Sequence, residues 1–169
     1  ALQYGVLALP FGGSSLAGLP LIVWAVKPQS FALAARNSVP HVAQALHLSV
    51  MAGIRTDSIA AAIGATRIVR AMPNTPALIG QGIAGLFATP TVSGAERALV
   101  EQVLAASGEL LWVNQESDLD AVTALSGSGP AYVFYFIEAM IQAAGEMGLS
   151  AEQGRRLGGP GALVLARTH

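Results

Sequence analysis

The stretch Leu21-Ile22-Val23-Trp24-Ala25-Val26, followed by Lys27-Pro28, decides the class of fold. Six consecutive apolar residues are typical of a strand that is buried on both faces, as in a parallel sheet. Pro28 cannot donate a hydrogen bond to a neighbouring strand, so we expect the strand to end there. The same apolar, turn-bounded pattern predicts four more strands, at Leu46–Met51, Arg67–Ala71, Ile83–Ala88 and Glu109–Val113.

Helical signals lie between these strands, and they rest on caps and breakers. Thr56 or Asp57 is predicted to cap a helix that runs to Ile63. Ser93 and Glu96 have the spacing of a capping box. The predicted helices cover residues 30–44 with a break at Pro40, residues 56–63, Ala95–Ala106 and Glu116–Leu125. Strands that alternate with helices predict an α/β fold with a largely parallel sheet.

The pattern changes near Ser126, where we place a domain boundary. Ser126–Pro130 predicts a tight turn, and the following Ala131–Met147 predicts a helix that is apolar around most of its circumference. Ser150 and Gln153 form another capping-box pair, and the run Gly158-Gly159-Pro160-Gly161 predicts an early end to the helix that they open. An all-round apolar helix must be buried, so we expect a partner chain or further sequence to cover it.

Composition excludes several classes of function. Only 11% of residues are charged and the net charge is -1, which argues against a nucleic-acid partner. No apolar run predicts a membrane span or a signal peptide. The chain has no cysteine, which excludes disulfides and thiolate chemistry and is compatible with a cytoplasmic location. No cluster has metal-ligand spacing, and we assign no catalytic role to His41, His47 or His169.

Four short segments rich in small residues follow predicted strands or the boundary: residues 25–28, 50–53, 72–76 and 126–130. Ligands of open parallel sheets bind outside the carboxyl ends of the strands, and small residues let the backbone approach a flat ligand. The pattern suggests a nucleotide site, although Pro and Gly also end strands in proteins of any function.

These segments resemble the pyrroline-5-carboxylate reductase family in order and spacing. The longest match is Asp120–Tyr132, which reads Asp-Ala-Val-Thr-Ala-Leu-Ser-Gly-Ser-Gly-Pro-Ala-Tyr. The others are Ala25-Val26-Lys27-Pro28-Gln29, Ala52-Gly53-Ile54 and Val69–Pro76. The resemblance covers about residues 21–157.

The resemblance implies a Rossmann-like dinucleotide-binding domain over residues 1–125 and an all-helical dimerisation domain over residues 126–169, both incomplete. It implies hydride transfer from NADPH or NADH, with NADPH favoured, to the imine carbon of 1-pyrroline-5-carboxylate, giving L-proline, and a homodimer or a larger homo-oligomer.

The resemblance also assigns site residues. Ala25-Val26-Lys27-Pro28 matches the family segment along the nicotinamide end of the cofactor, and Val50-Met51-Ala52 matches a second cofactor-contacting turn. The family usually has Ala in place of Met51, so a bulkier side chain must be accommodated. Glu116 falls at the position of a family carboxylate associated with the substrate, although a helix-start carboxylate also has a purely structural explanation. Asn74 is interpreted as a turn former.

The sequence departs from the family pattern at two places. The family's Gly-rich phosphate loop is not found before Leu21, since Gly12-Gly13 lacks the spacing. Its substrate loop, whose Thr is the usual partner of the imine nitrogen, is not found either, so the catalytic residue stays unknown. Two alternatives remain open: a β-hydroxyacid-type dehydrogenase, which would usually carry a Lys on the helix after the boundary, and an inactive fragment that acts as a dimerisation or binding module.

Overall fold

A computed structural model of the chain describes residues 16–165, and Gly12-Gly13 and His169 lie outside them. The chain divides between Thr123 and Ala124 into two compact units. The first unit holds a five-stranded sheet with strands β1 (Leu21–Trp24), β2 (Leu46–Ser49), β3 (Ile68–Met72), β4 (Gly82–Ala88) and β5 (Gly108–Trp112). Its helices are α1 (Phe31–Val42), α2 (Thr56–Ile63), α3 (Gly94–Leu104) and α4 (Asp118–Val122).

The sheet has the order β1-β2-β3-β4-β5, with β3 and β4 antiparallel and all other neighbours parallel. The predicted largely parallel sheet is therefore confirmed. The reversal at β4 follows from its connection, because residues 73–81 form only a short turn. A parallel crossover needs a dozen or more residues.

Two apolar clusters fill the two faces of the sheet. Trp24, Phe31 and Ile59 belong to a cluster that packs α1 and α2 against β1 and β3. Leu48, Leu86 and other strand residues pack with Val100 of α3 in the second cluster. Helices on both faces are the arrangement expected of an α/β fold with parallel strands.

Three details of the first unit correct the sequence expectations. Val23 is 46% exposed, so burial of the first strand on both faces is wrong, because β1 lies at the edge of the described sheet. The break at Pro40 is also wrong, since α1 continues to Val42. The helix predicted over Glu116–Leu125 is instead the short α4, followed by a π-helical turn at Thr123–Gly127.

The capping-box predictions are confirmed. Glu96 N–H donates to the Ser93 hydroxyl, and the Glu96 carboxylate accepts from Ser93 N–H at 2.8 Å. Ser150 and Gln153 make the same reciprocal pair, at 2.8 and 3.2 Å. Local sequence decides both helix starts.

Up to residue 165, the second unit consists of the helices α5 (Gly129–Glu146) and α6 (Ala151–Leu165). The predicted end of α6 at the Gly-rich run is wrong, because the helix continues past it. Gly154 and Gly158 lie against α5: a Cβ on Gly154 would sit 3.2 Å from that of Ala144, and one on Gly158 would sit 3.6 Å from that of Met140. Close packing between the helices therefore offsets the low helix propensity of glycine. Within the described residues, none of the helices is both long and apolar enough to cross a bilayer.

Candidate functional site

Two of the segments that sequence analysis singled out lie side by side at the carboxyl edge of the sheet. The parallel register pairs Trp24 with Ser49, and Val50 N–H donates to the carbonyl oxygen of Trp24 at 3.1 Å. Residues 25–28 and 50–53 therefore leave the sheet from neighbouring positions. This edge is where ligands of open α/β sheets bind.

The surface that the two segments present consists of backbone and small side chains. Ala25, Lys27, Pro28 and Ala52 are exposed, whereas Val26 and Val50 are half-buried. Lys27 is extended and its carbonyl accepts from Ser30 N–H at 2.8 Å, which closes a turn at Pro28–Ser30. Gly53 has φ +74°, a left-handed conformation that favours glycine. Backbone and small side chains let a flat ligand approach closely, and the exposed Lys27 places a positive charge beside them.

Met51 is the exception, because its side chain is turned into the protein. It is only 3% exposed and belongs to the apolar cluster with Trp24 and Ile59. Its backbone N–H donates to the Ser49 hydroxyl at 3.3 Å. The extra bulk relative to Ala is thus accommodated in the core, and only the backbone of Met51 faces the edge.

A buried Trp–His pair supports this edge from below. The indole N–H of Trp24 donates to Nδ1 of His47 at 3.0 Å. Nδ1 is therefore the acceptor, so the neutral ring carries its proton on Nε2 and donates it to the carbonyl oxygen of Val42, 3.1 Å away. The two rings are also stacked, with centroids 6.0 Å apart.

This arrangement keeps His47 uncharged. Burial lowers the pKa of His47 from 6.5 to about 4; the hydrogen bond to Val42 raises it, and the charge of Arg67 lowers it further. Both ring nitrogens of His47 are therefore hydrogen-bonded in the core. The Trp24–His47 hydrogen bond links the last residue of β1 to β2, directly before residues 25–28 and 50–53.

Glu116 is the centre of a second polar cluster in the first unit. Its Oε1 accepts hydrogen bonds from Thr56 N–H and from Arg70 Nη1, both at 2.7 Å. Its Oε2 accepts from the Thr56 hydroxyl at 2.8 Å and lies 3.6 Å from Arg55 Nη2. The side chains of Arg70 and Glu116 are each 10% exposed, so the pair is nearly dry.

The electrostatics of this cluster favour the carboxylate form of Glu116. Burial raises the pKa of Glu116, but the hydrogen bonds from Arg70 and from the backbone and side chain of Thr56, together with the charge of Arg70, outweigh it and hold the pKa below 4.5. Sequence analysis missed Arg70 and Thr56 as members of this cluster. The signal for Arg70 was available, since a charged residue stood in the middle of an apolar strand.

Asn74 acts as a turn former, as the sequence indicated. Its Oδ1 accepts from the backbone N–H of Ile83 at 3.0 Å, and a 3-10 turn at Thr75–Ile79 follows it. The side-chain amide thus ties the turn after β3 to the start of β4.

Comparisons with known proteins show which family this chain resembles. A family model for pyrroline-5-carboxylate reductase dimerisation matches residues 116–159. The pyrroline-5-carboxylate reductase of Pseudomonas aeruginosa is 40% identical over 157 residues, which cover 92% of this chain and 58% of that protein. The chain belongs to the pyrroline-5-carboxylate reductase family.

Solved structures of pyrroline-5-carboxylate reductases share the fold. The enzyme from Coxiella burnetii superposes with a TM-score of 0.81 at 37% identity, covering 89% of this chain and 57% of that one. The Plasmodium falciparum pyrroline carboxylate reductase, crystallised with NADP bound, gives 0.78 at 31% identity, with 90% and 57% covered. The chain thus spans between half and three fifths of the length of these pyrroline-5-carboxylate reductases.

Proposed function

We propose that the intact protein is an NAD(P)H-dependent pyrroline-5-carboxylate reductase that converts 1-pyrroline-5-carboxylate to L-proline, with NADPH as the favoured reductant. The observation that carries the proposal is the adjacency of residues 25–28 and 50–53 at the carboxyl edge of the sheet, in a chain of this family. The NADP-bound relative from Plasmodium falciparum supports the choice of cofactor.

The residues of this chain bind and orient the reactants. Ala25, Val26, Lys27 and Pro28, together with the backbone of Val50, Met51 and Ala52, would hold the cofactor at this edge of the sheet. Reduced nicotinamide supplies a hydride when it is bound. The imine carbon accepts this hydride and the nitrogen takes a proton, so the site needs a hydroxyl or a water as the proton donor.

The second unit supports a proposal about assembly. Five consecutive side chains of α5, Tyr132 to Phe136, are each at least 47% exposed, and four of the five are aromatic. Apolar patches beyond a few hundred Å² usually mark interfaces. We assign this exposed apolar turn of α5 to a homodimer contact, in line with the match to the dimerisation model.

A cytoplasmic location belongs to the same proposal. It is supported by the absence of cysteine from the chain, which fits a protein that needs no disulfides. Fractionation of cells that express the intact protein tests this location directly.

The test of the function is spectroscopic. Full-length protein should oxidise NADPH only when 1-pyrroline-5-carboxylate is added, seen as loss of the reduced-nicotinamide absorbance band. A β-hydroxyacid dehydrogenase would instead reduce NADP with a hydroxy acid, and α5 contains no Lys for that chemistry. An inactive binding module would show neither reaction. Either result would refute the proposal.

A further inference from the structure

The carboxylate of Glu116 is occupied by protein donors. A carboxylate offers about four lone-pair positions. Thr56 N–H, Thr56 O–H and Arg70 Nη1 take three of them at 2.7 to 2.8 Å, and the Arg55 guanidinium lies beside Oε2 at 3.6 Å. The pairing with Arg70 also compensates the negative charge. The carboxylate therefore has few free lone pairs for a hydrogen bond to a cationic imine, and little uncompensated negative charge to attract one.

Helix α2 depends on this carboxylate for its cap. Its N-cap residue, Arg55, makes no side-chain capping hydrogen bond, whereas α3 is capped by its own Ser93. Glu116 comes from 60 residues further along the chain and binds the first helical N–H, that of Thr56. The free N–H groups of a first helical turn need such partners, especially when buried, and Thr56 is buried.

The turn between β2 and α2 is consequently held at its two ends. At the start, Val50 N–H is bound to Trp24 and the Met51 side chain is buried. At the far end, Thr56 is bound by Glu116. Ala52 and Gly53 between them are exposed, and the conformation of Gly53 is one that glycine adopts easily. The position of this exposed backbone therefore depends on both anchors.

We propose that Glu116, paired with Arg70, is a positioning residue that fixes the cofactor-contacting turn at residues 50–53 by holding Thr56. The inference rests on the proposed function, because it assigns this turn to the dinucleotide. It replaces direct contact with the imine, the role that the family resemblance suggested. Its signature is a change in cofactor affinity that leaves the affinity for the imine unchanged.

The variant Glu116→Gln tests this signature in the intact protein. The amide keeps the size of the side chain, but its NH2 group replaces one of the two accepting oxygens. A hydrogen-bond donor then faces the donor of either Arg70 or Thr56, and that hydrogen bond is lost. We expect the Kd for NADPH, measured by calorimetry, to rise about ten-fold, because a loosened turn must be ordered on binding. The KM for 1-pyrroline-5-carboxylate at saturating NADPH should stay within about two-fold of the original value. Backbone amides of residues 52–54 should exchange faster with deuterium.

The chain offers a matched control in Glu96→Gln. Glu96 also caps a helix and also accepts from an arginine, Arg67 Nη1, at 2.7 Å. Arg67 directly precedes β3, so the Glu96–Arg67 pair lies at the amino edge of the parallel strands β1–β3, opposite the carboxyl edge where residues 50–53 lie. Both variants should lower the melting temperature, but only Glu116→Gln should change the Kd for NADPH.

Two other results with Glu116→Gln would overturn the inference. A higher KM for the imine with an unchanged Kd for NADPH would establish substrate contact, and a lower melting temperature with both affinities unchanged would establish a cap alone.

If Glu116→Gln does not fold, the variant Thr56→Val tests the inference instead. It removes the hydrogen bond from the Thr56 hydroxyl to Glu116 and keeps the one from the Thr56 backbone N–H. A Kd for NADPH raised about three-fold supports the inference, and an unchanged Kd refutes it. Failure of the unsubstituted protein to bind NADPH or to turn over the imine refutes the proposed function instead.

Discussion

Mild acid should destabilise the sheet-containing unit through His47. In the folded chain the pKa of His47 is about 4, against 6.5 for an ordinary histidine, because burial disfavours the charged ring. Unfolded chains therefore bind a proton at pH values where the folded chain does not. The stabilisation that follows from the neutral His47 is fully present above pH 6.5. It decreases as the pH drops below 6.5, and the decrease levels off near pH 4.

The size of the effect follows from the same two pKa values. One pKa unit corresponds to about 1.4 kcal/mol, so His47 removes about 3 kcal/mol of the free energy of unfolding between pH 7 and pH 4. About 2 kcal/mol of this is already lost at pH 5. Glu116 and Glu96 both have a pKa below 4.5. Their stabilisation is present above that value and is lost only in stronger acid, so the window from pH 6.5 to 5 reports on His47.

Urea unfolding at pH 7, 6 and 5, at one protein concentration, measures this slope. The control is His47→Asn, whose side-chain oxygen can still accept from the indole of Trp24 but does not titrate. The variant should have a lower free energy of unfolding at pH 7 than the original protein. Between pH 7 and pH 5 its free energy of unfolding should decrease by about 2 kcal/mol less than that of the original protein, because no histidine titrates at position 47. Equal losses in both proteins, or an NMR titration of His47 near pH 6.5, would refute the reasoning.

Three further changes have expected outcomes. Pro28→Gly should lower the free energy of unfolding by about 1 kcal/mol and should weaken NADPH binding, measured by calorimetry, by more than that loss of stability explains. A lower melting temperature with an unchanged Kd for NADPH would indicate that Pro28 only ends the strand. Phe136→Glu should dissociate the dimer in light scattering, whereas Glu138→Gln on the same helix should not; an unaltered mass for Phe136→Glu would contradict the assigned interface. Gly108→Ala should lower the free energy of unfolding by at least about 3 kcal/mol, because Gly108 has φ +126° and a Cβ there would lie 2.1 Å from a backbone oxygen of β4. Gly94→Ala, with open space around it, should cost nothing, and equal stabilities for the two alanine variants would refute this reasoning.

The helix caps show which parts of the fold the sequence could predict. The Ser93–Glu96 box spans one helical turn, so its residues are visible together in the sequence and the prediction is confirmed. For α2 the sequence suggested Thr56 or Asp57 as the cap, whereas Thr56 is the first helical residue and is itself capped by Glu116. No local pattern joins residues 60 positions apart, so this cap required the tertiary structure.

Helix α6 shows the same limit for helix length. Propensity alone predicts an end at the glycine-rich run, but Gly158 faces α5 and leaves room for close packing. The prediction failed because tertiary contact outweighed a local preference.

For the candidate site, the sequence indicated the segments, and the structure supplied their arrangement. Short motifs after strands predicted residues 25–28 and 50–52, and the parallel register of β1 and β2 makes them neighbours. The inward direction of Met51 and the pairing of Glu116 with Arg70 could not be predicted, because both depend on which residues from distant parts of the chain pack around them.

Isotope transfer tests the proposed imine reduction most directly. Full-length protein is incubated with 1-pyrroline-5-carboxylate and NADPH that carries deuterium at the transferable position, and the product is analysed by mass spectrometry and chiral chromatography. The account predicts L-proline in equal amount to the NADPH consumed, with one deuterium on the former imine carbon. Absence of proline, or proline without deuterium at that carbon, would contradict it.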